Sequence, residues 1–298
     1  MILIDFTQIA IGGLMAQMHR GSDALDERLV RHVVLNTLRY YRSRFSEKYG
    51  ELVICCDSKH YWRRDYFPNY KANRKKDREQ SSYDWGEIFT LLNQIKDEVK
   101  DNFPYKVLEV YGAEADDIIA ILLKSWPEWD RNINLIVSSD KDFIQLHGAM
   151  VDQYSPVSKK LVNGANPVVY LREHILKGDR SDGVPNILSP DDTFTENKRQ
   201  RPLRKTVVAE ILEHLEDEHG TVWDDPQILY TIARCPKDTW IRNYQRNETL
   251  IDLNKIPTYI KDEILKEFKN VKVSSRDGLF DFFLNKKLNN LLEHIGDF

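Results

Sequence analysis

Cysteine and long apolar runs are both scarce in this sequence. Only three cysteines occur in 298 residues, and Cys55, Cys56 and Cys235 form neither a CxxC pair nor an even set. They therefore exclude a disulfide framework and are typical of small buried residues in a reducing compartment. No segment is apolar for long enough to span a bilayer, and the first residues lack the basic and apolar regions of a signal peptide. We expect a cytoplasmic protein that has no contact with a membrane.

An overall excess of positive charge is absent as well. The chain has 43 lysines and arginines against 47 acidic residues, which gives a net charge of −4 and no global basic surface for nucleic acid. The charge is unevenly placed, however, because residues 63–78 hold seven basic residues against two aspartates, with aromatic residues between them. A solvated helix face is the ordinary explanation for such a run. Its unusual length for a strand-to-helix connection favours instead a basic arch at about residues 58–82, with phosphates on its cations and unpaired bases on its aromatic rings.

Short apolar runs alternate with amphipathic stretches in the first half of the chain. The runs lack strict alternation, as is typical of strands covered on both faces of a parallel sheet. Helical periodicity fills the gaps, for example from an N-cap at Asp84 to about Pro104. We therefore predict an α/β core over residues 1–156, with a mostly parallel central sheet flanked by helices. The predicted strands are Met1–Ile4, Leu52–Cys56, Tyr105–Val110 and Asn134–Val137.

After residue 156 the strand signals fade, and residues 157–298 form a predicted helical region. The segment "PVVYLREHILKGDRSDGVPNILS" predicts a helix, a tight hairpin at Gly178 and Gly183, and the start of a second helix. The amides of such a hairpin and the next helix N-terminus are suited to a duplex phosphate, although a plain helix connection has the same composition. Residues 189–204 are predicted to be a loop, and further helices are predicted at 206–215 and 226–233.

Acidic residues follow every predicted strand. Because the carboxyl ends of parallel strands meet at one edge of a sheet, we expect these carboxylates to converge. One acid after a strand is usually a turn or capping residue, so the prediction depends on the coincidence at four strands. Converging carboxylates require protonation or divalent cations between them, and an all-oxygen set suits magnesium or manganese rather than zinc. The acids are Asp5, Asp57, Glu114 with Asp116 and Asp117, and Asp140 with Asp142.

Six motifs occur in one order along residues 2–190: "LIDF", "VICCDS", "YKANR", "GAEADDIIA", "VSSDKDFIQL" and "KGDRSDGVPNI". Together they resemble the 5′-nuclease (flap endonuclease) superfamily. The segments "YWRRDYFPNYKANRKK", "SSYDW" and "NETLIDLNKIP" resemble more narrowly the RNases H of T-even-type bacteriophages. The resemblance implies a PIN-like core, a helical arch and a helix–three-turn–helix element that grips duplex DNA. It also implies 5′ to 3′ exonuclease and flap endonuclease activities that remove RNA primers and 5′ flaps during lagging-strand DNA replication.

The resemblance further implies a role for individual residues. Asp5, Asp57, Asp116 and Asp140 match the ligands of a first metal ion, with Glu114 close by. Asp142, Asp179 and Asp182 match the set of a second ion, partly through water, and Asp117 matches an acid of some phage members. In the arch, Lys71 and Arg74 would steady the scissile phosphate, and Tyr70 would stack on a base. The implied catalytic set is Lys71, Arg74, Asp57 and Asp140, and the nucleic-acid-binding set is Arg63, Arg64, Tyr70, Lys71, Arg74, Lys75, Lys76 and Gly183.

The implied cofactor is a pair of Mg²⁺ ions, for which Mn²⁺ would substitute. The implied partners are RNA–DNA hybrid, flapped or forked duplex DNA, and the single-strand DNA-binding protein and sliding clamp of a replisome, with the enzyme itself a monomer. Two alternatives stay open. A single-strand ribonuclease of the PIN class shares the acids but commonly lacks the arch and the hairpin. A non-catalytic protein that binds DNA junctions would not need all seven metal-ligand positions.

Overall fold

A computed structural model of the protein describes residues 1–18, 26–125, 132–164, 166–196, 198–216 and 237–298. These residues form two compact units. The sheet unit contains the described parts of residues 1–60, 83–163 and 258–298, and the helical unit contains the described parts of 61–82 and 164–257. The sequence predicts a single boundary near residue 156, whereas each unit is assembled from separate segments of the chain. None of the described helices is both long and apolar enough to cross a membrane.

The sheet unit is built on a six-stranded sheet with the strand order β3-β2-β1-β4-β5-β6. Neighbouring strands are parallel, except that β6 pairs with β5 in the antiparallel sense. The four predicted strands are confirmed with ends shifted by one or two residues at most, and β5 and β6 were not predicted. The strands are β1 Ile2–Asp5, β2 Leu52–Cys56, β3 Lys106–Glu109, β4 Asn134–Val137, β5 Val151–Ser155 and β6 Lys160–Leu161.

Helices make up most of the remaining described structure. Caps fix several of their ends: Asp84 accepts a hydrogen bond from the amide of Glu87 at 3.0 Å, as predicted, and Gly50 ends a long helix with φ at +85°. The described helices are α1 Phe6–Met18, α2 Glu27–Tyr49, α3 Trp62–Tyr66, α4 Ala72–Glu79, α5 Trp85–Asn102, α6 Ala115–Lys124, α7 Pro167–Lys177, α8 Lys205–Glu216, α9 Lys237–Ile251, α10 Thr258–Asn270, α11 Leu279–Asn285 and α12 Asn289–Leu292.

The core of the sheet unit joins the strands to helices from both ends of the chain. Phe103, at the end of α5, is fully buried, and its ring centroid lies 5.4 Å from that of Phe282 and 5.4 Å from that of Phe298. Phe283 completes this aromatic cluster at 5.9 Å. Edge-to-face ring pairs of this kind add to the free energy gained from burial alone. Residues 258–298 are therefore part of the sheet unit's core and not an appendage to it.

The helical unit has its own core, to which the arch segment contributes Phe67 and Tyr70. The helix predicted to begin near Pro185 is not found, because turns continue to residue 196 and the next described helix is α8. The predicted helix–three-turn–helix element thus corresponds to α7, a long turn-rich connection and α8. The helix predicted at 206–215 is confirmed as α8, and the one predicted at 226–233 lies outside the described residues.

Candidate active site

Asp5 is the last residue of β1, a central strand of the sheet. Its side chain is only 7% exposed, and both of its carboxylate oxygens accept hydrogen bonds. Oδ1 accepts from the amide of Gln8 at 3.2 Å, and Oδ2 accepts from the hydroxyl of Ser138 at 3.1 Å. These contacts join the ends of β1 and β4 and fix the orientation of the carboxylate.

Asp57 follows β2 directly and lies at the same edge of the sheet. Its Oδ1 accepts a hydrogen bond at 2.9 Å from the amide of Ala115, the first residue of α6. The residue itself is exposed, so the rest of the carboxylate is accessible to a ligand. Asp116, half-buried in the first turn of α6, is held at this edge by the same junction.

Asp117 and Glu114 are buried at the N-terminus of α6. The Oδ2 atom of Asp117 accepts a hydrogen bond at 3.0 Å from the amide of Glu114, the N-cap residue. This capping contact gives Asp117 a structural role that accounts for its complete burial. Its assignment as a metal ligand, like that of Glu114, stays a prediction.

A hydrogen-bonded turn presents Asp140 and Asp142 after β4. Asp140 donates its amide to Ser138 Oγ at 3.1 Å, and its Oδ1 accepts from the amide of Asp142 at 2.9 Å. Gln153, a buried residue of β5, donates its Nε2 to the carbonyl oxygens of Ser138 at 2.9 Å and Asp140 at 2.6 Å. Sequence reasoning missed Gln153, and the only available signal was a polar residue inside a short strand that was itself not predicted.

The strand-end carboxylates act on one another electrostatically. Burial and the negative charges of Asp57 and Asp140 together raise the pKa of Asp5 to about 7, against the opposing effect of the hydrogen bonds from Gln8 and Ser138. Burial raises the pKa of the Cys55 thiol well above its usual range, and the nearby charges of Asp5, Asp116 and Asp57 act in the same direction. The structure therefore brings Asp5, Asp57, Asp116 and Asp140 into one neighbourhood. A set of oxygen donors that repel one another in this way fits a hard divalent cation, which would remove the repulsion.

In the helical unit, three arch residues converge on Asp182. Its carboxylate accepts a hydrogen bond from the Tyr70 hydroxyl at 2.8 Å and forms ion pairs with Lys71 at 3.5 Å and Arg74 at 2.5 Å. The amide of Lys71, a residue in the left-handed region at φ +56°, donates to the carbonyl of Asp182 at 2.7 Å. We call these four residues the Asp182 cluster. It holds the two predicted phosphate-binding cations beside a carboxylate of the protein itself.

Asp179 organises the hairpin that carries Asp182. It accepts hydrogen bonds from the amide and the hydroxyl of Ser181 at 2.6 and 2.7 Å, and its Oδ2 lies 3.4 Å from His174 Nε2. Burial opposes the ionisation of Asp179, but the hydrogen bonds from His174 and Ser181 outweigh it and hold the pKa well below its usual range. Asp179 and Asp182 belong to the helical unit and Asp142 to the sheet unit, so the predicted second-metal set is divided between the two.

The hairpin amides are occupied within the hairpin itself. Those of Asp182 and Val184 donate to Asp179, and that of Gly183 donates to the carbonyl of Arg180. The prediction that these amides bind a duplex phosphate is therefore not supported. Gly183 is needed for a different reason: its φ is +73°, and an added Cβ would lie 3.0 Å from the carbonyl oxygen of Asn69 in the arch.

Two arch residues that were predicted to contact nucleic acid are buried in this structure. Arg63 is 2% exposed, donates its Nε to the carbonyl of Leu250 at 2.8 Å and stacks on Trp62. Its guanidinium therefore makes its contacts inside the helical unit. Tyr70 is 3% exposed in the core and so offers no ring face to a base. Arg64, Lys75 and Lys76 are exposed, as binding to phosphates requires.

The fold and the strand-end carboxylates define a metal-dependent 5′-nuclease. The family model for the 5′-3′ exonuclease N-terminal resolvase-like domain matches residues 2–172, and the model for the T4 RNase H C-terminal region matches residues 166–298. The chain belongs to the 5′-3′ exonuclease family, with a C-terminal part of the T4 RNase H type. The resemblance inferred from the motifs is therefore confirmed.

Individual relatives agree with this assignment. Ribonuclease H of Enterobacteria phage T4 is 32% identical over 304 residues, which cover 99% of this chain and 95% of that protein. DNA polymerase I of Rhizobium leguminosarum is 31% identical over 134 residues, which cover 42% of this chain and 12% of that protein.

Solved structures of T5 proteins share the fold. One crystallised with metal ions superposes with a TM-score of 0.64 at 15% identity, covering 91% of this chain and 97% of the other. A T5 flap endonuclease in a pseudo-enzyme-product complex with DNA and metal ions gives a TM-score of 0.61 at 16% identity, with coverage of 91% and 97%. At such low identity these matches establish the architecture, and the predicted fold class is confirmed.

Proposed function

We propose that this 5′-nuclease is a magnesium-dependent 5′ to 3′ exonuclease and flap endonuclease that removes RNA primers and 5′ flaps during lagging-strand DNA replication. The observation that carries the proposal is the convergence of Asp5, Asp57 and Asp140 at one edge of the sheet, where burial and the charges of the other two acids raise the pKa of Asp5 to about 7. Carboxylates arranged at such a cost in free energy indicate a cation-dependent site. The names of two relatives, Ribonuclease H of phage T4 and flap endonuclease of T5, support the choice of substrate.

One metal ion would be held by strand-end acids, and a second by the strand-end acid Asp142 together with the hairpin acids. The first set is Asp5, Asp57, Asp116 and Asp140 with Glu114 close by, and the second is Asp142, Asp179 and Asp182, partly through water. Mg²⁺ held by these carboxylates, or Mn²⁺ in its place, would supply an activated water and would stabilise the leaving oxygen of an in-line displacement. The cleavage leaves 5′-phosphate and 3′-hydroxyl ends.

The chain's own contribution is to hold these carboxylates in place before substrate arrives. Gln8 and Ser138 orient Asp5, the amide of Ala115 orients Asp57, and Gln153 fixes the backbone that presents Asp140. Outer contacts of this kind fix the geometry of metal ligands and so limit reorganisation during the reaction.

Lys71 and Arg74 would bind the scissile phosphate and stabilise the negative charge that develops on it. Both are held by the carboxylate of Asp182 in the structure, which keeps their side chains ordered at low cost. A phosphodiester would compete with that carboxylate for the same two side chains, since both are oxygen anions that accept hydrogen bonds from the ammonium of Lys71 and the guanidinium of Arg74. In this proposal the Asp182 carboxylate holds the side chains of Lys71 and Arg74 in place until substrate arrives.

The proposed setting follows the same reasoning. The substrates are RNA–DNA hybrid and flapped or forked duplex DNA, and the enzyme works as a monomer beside a single-strand DNA-binding protein and a sliding clamp. Its compartment is the cytoplasm of an infected bacterial host. A PIN-class ribonuclease is the weaker alternative, because the arch and the hairpin are both present.

Cleavage of a 5′-labelled flap substrate, with Mg²⁺ or with EDTA, tests the proposal. The wild type should cut only with Mg²⁺, and Asp140→Asn should lower turnover by at least about a hundredfold. Asp281→Asn, an exposed aspartate of α11, is the matched control and should retain full activity.

Several outcomes would reject the proposal. They are binding without cleavage by the wild type, unchanged cleavage by Asp140→Asn, or a preference for single-stranded RNA over the flap. The last outcome would favour the PIN-class ribonuclease.

A further inference from the structure

A cavity of about 620 Å³ lies within the helical unit, and Asp182 is not among its lining residues. It is lined by the first turns of α4, by Arg180 of the hairpin and by part of the loop 186–202. Five basic residues face it, and no acidic residue is among its described lining. The basic residues are Lys76, Arg180, Lys198, Arg199 and Arg201.

Hydrogen bonds hold the loop that forms one wall of this cavity. Asn186, a buried residue, donates its amide to Gln200 Oε1 and its Nδ2 to the carbonyl of Arg201, both at 2.8 Å. The amide of Arg201 donates to the hydroxyl of the buried Ser189 at 2.9 Å. The loop predicted to be irregular is thus tied to one shape, which lowers the entropy lost when a ligand binds.

The positive charge of the cavity is only partly compensated. Lys198 pairs with Asp192 and Glu196, each at 2.6 Å, and these contacts raise its pKa. Within the described part of the chain, Arg180, Arg199 and Arg201 have no carboxylate within 4.0 Å. Three arginines around one cavity match an oxyanion such as a phosphodiester, which accepts paired hydrogen bonds from a guanidinium.

Phe194 also lines the cavity and is only partly buried. An aromatic ring among basic side chains is the combination that binds unpaired nucleotides, with the ring on a base and the cations on the backbone. Bases of a duplex are stacked on one another and are not accessible to such a ring. The cavity volume is within the usual range for sites that enclose a small molecule.

We propose that this cavity binds a nucleotide of an unpaired strand, with its phosphate on the arginines and its base against Phe194. The inference rests on the proposed function in one respect, namely that the substrate carries single-stranded nucleic acid. It adds a second binding site to the enzyme, one that holds the unpaired strand without taking part in the cleavage.

Fluorescence anisotropy with a labelled single-stranded oligonucleotide in EDTA tests the proposal without any turnover. The double variant Arg199→Gln with Arg201→Gln should bind it about tenfold more weakly, and the slope of log K against log salt should fall by about 1.4, or about 0.7 for each lost phosphate contact. Binding of a blunt duplex should change by less than about twofold. The matched control, Lys261→Gln with Lys269→Gln, removes two exposed charges from α10 and should leave single-strand binding unchanged.

Phe194→Ala tests the proposed contact with the base separately from the proposed contacts with the phosphate. It should weaken binding of the normal oligonucleotide at least about fivefold, as expected from the loss of one stacked base, and leave binding of an abasic oligonucleotide unchanged. Equal losses on blunt duplex and single strand, or no loss on either, would overturn the proposal. Flap cleavage at saturating substrate should stay near the wild-type rate in all these variants, so a failure of the cavity is distinct from a failure of the nuclease.

Discussion

The pKa of an aspartate is shifted in opposite directions in the two units, at the buried Asp5 and at the partly buried Asp179. In the sheet unit, burial and the charges of Asp57 and Asp140 raise the pKa of Asp5 to about 7. In the helical unit, His174 and Ser181 outweigh burial and depress the pKa of Asp179. The negative charge of Asp5 would therefore be stabilised by an added cation, whereas that of Asp179 is already stabilised by hydrogen bonds within the protein. This difference indicates that the site at the sheet edge, more than the hairpin, depends on metal for its stability.

The largest effect is expected from Lys71→Ala, which tests whether the Asp182 cluster serves catalysis or only neutralises a carboxylate. Loss of a charge that stabilises the transition state should lower turnover about 10²- to 10³-fold, with only a few-fold loss of duplex affinity. The measurement is single-turnover cleavage of the flap substrate beside a binding titration. Lys261→Ala is the control, since Lys261 is an exposed lysine of α10 and lies outside the predicted nucleic-acid-binding set.

Equal losses of turnover and affinity would reduce Lys71 to a general phosphate contact. A loss of stability with unchanged turnover would mean that Lys71 only compensates Asp182. Either result would show that Lys71 has no specific role in catalysis.

A smaller effect is expected on the pH dependence of stability in EDTA. Because the folded pKa of Asp5 is raised, the folded state binds a proton between pH 4 and 7 that the unfolded chain has lost. The free energy of unfolding should therefore fall as pH rises through this range, by about 1.4 kcal/mol for each pH unit at most. Urea titrations of wild type and Asp5→Asn measure it.

The Asp5→Asn profile should be flatter and, near pH 7 in EDTA, the variant should be more stable than the wild type. Mg²⁺ should stabilise the wild type and have less effect on the variant. Identical profiles would show that Asp5 ionises normally and would end its contrast with Asp179.

The smallest effect is expected from Ser181→Ala in the hairpin. Removal of a hydroxyl that donates to Asp179 should lower the free energy of unfolding by about 1 kcal/mol at pH 7. Because the folded pKa of Asp179 is depressed, its contribution is present above pH 4 and is lost as pH falls, so the difference between the proteins should shrink in acid. Ser275→Ala, which removes a comparable contact to the exposed Asp277, is the control and should cost less. A difference that grows in acid would contradict the assigned ionisation of Asp179.

The sequence predicts the sheet edge well because its signals are local. An apolar run followed by an acid identifies β1, β2 and β4 and the positions of Asp5, Asp57 and Asp140. The strand β5 was missed because three of its five residues are polar. Gln153 is buried where its side chain bonds the turn after β4 and His147, which are contacts that the strand's own sequence does not indicate. The helix α1 was missed because its apolar residues do not form one face.

The arch was predicted less accurately because its charges look alike in sequence. Arg63 and Arg64 are adjacent, yet one is buried against the carbonyl of Leu250 and the other is exposed. That difference is decided by α9, nearly two hundred residues later in the chain. Tyr70 is buried for the same reason, since its core includes Trp240 and Tyr244.

The aromatic cluster of Phe103 with Phe282, Phe283 and Phe298 has a consequence for the order of events during synthesis. The five strands that bear or support the acids are translated well before residues 258–298 leave the ribosome. At about 5–20 residues per second, the nascent sheet waits several seconds for the rings that cover Phe103. Contacts of such long sequence separation also form slowly. The nuclease core is therefore completed late, and cleavage activity is expected only after residues 258–298 have been synthesised.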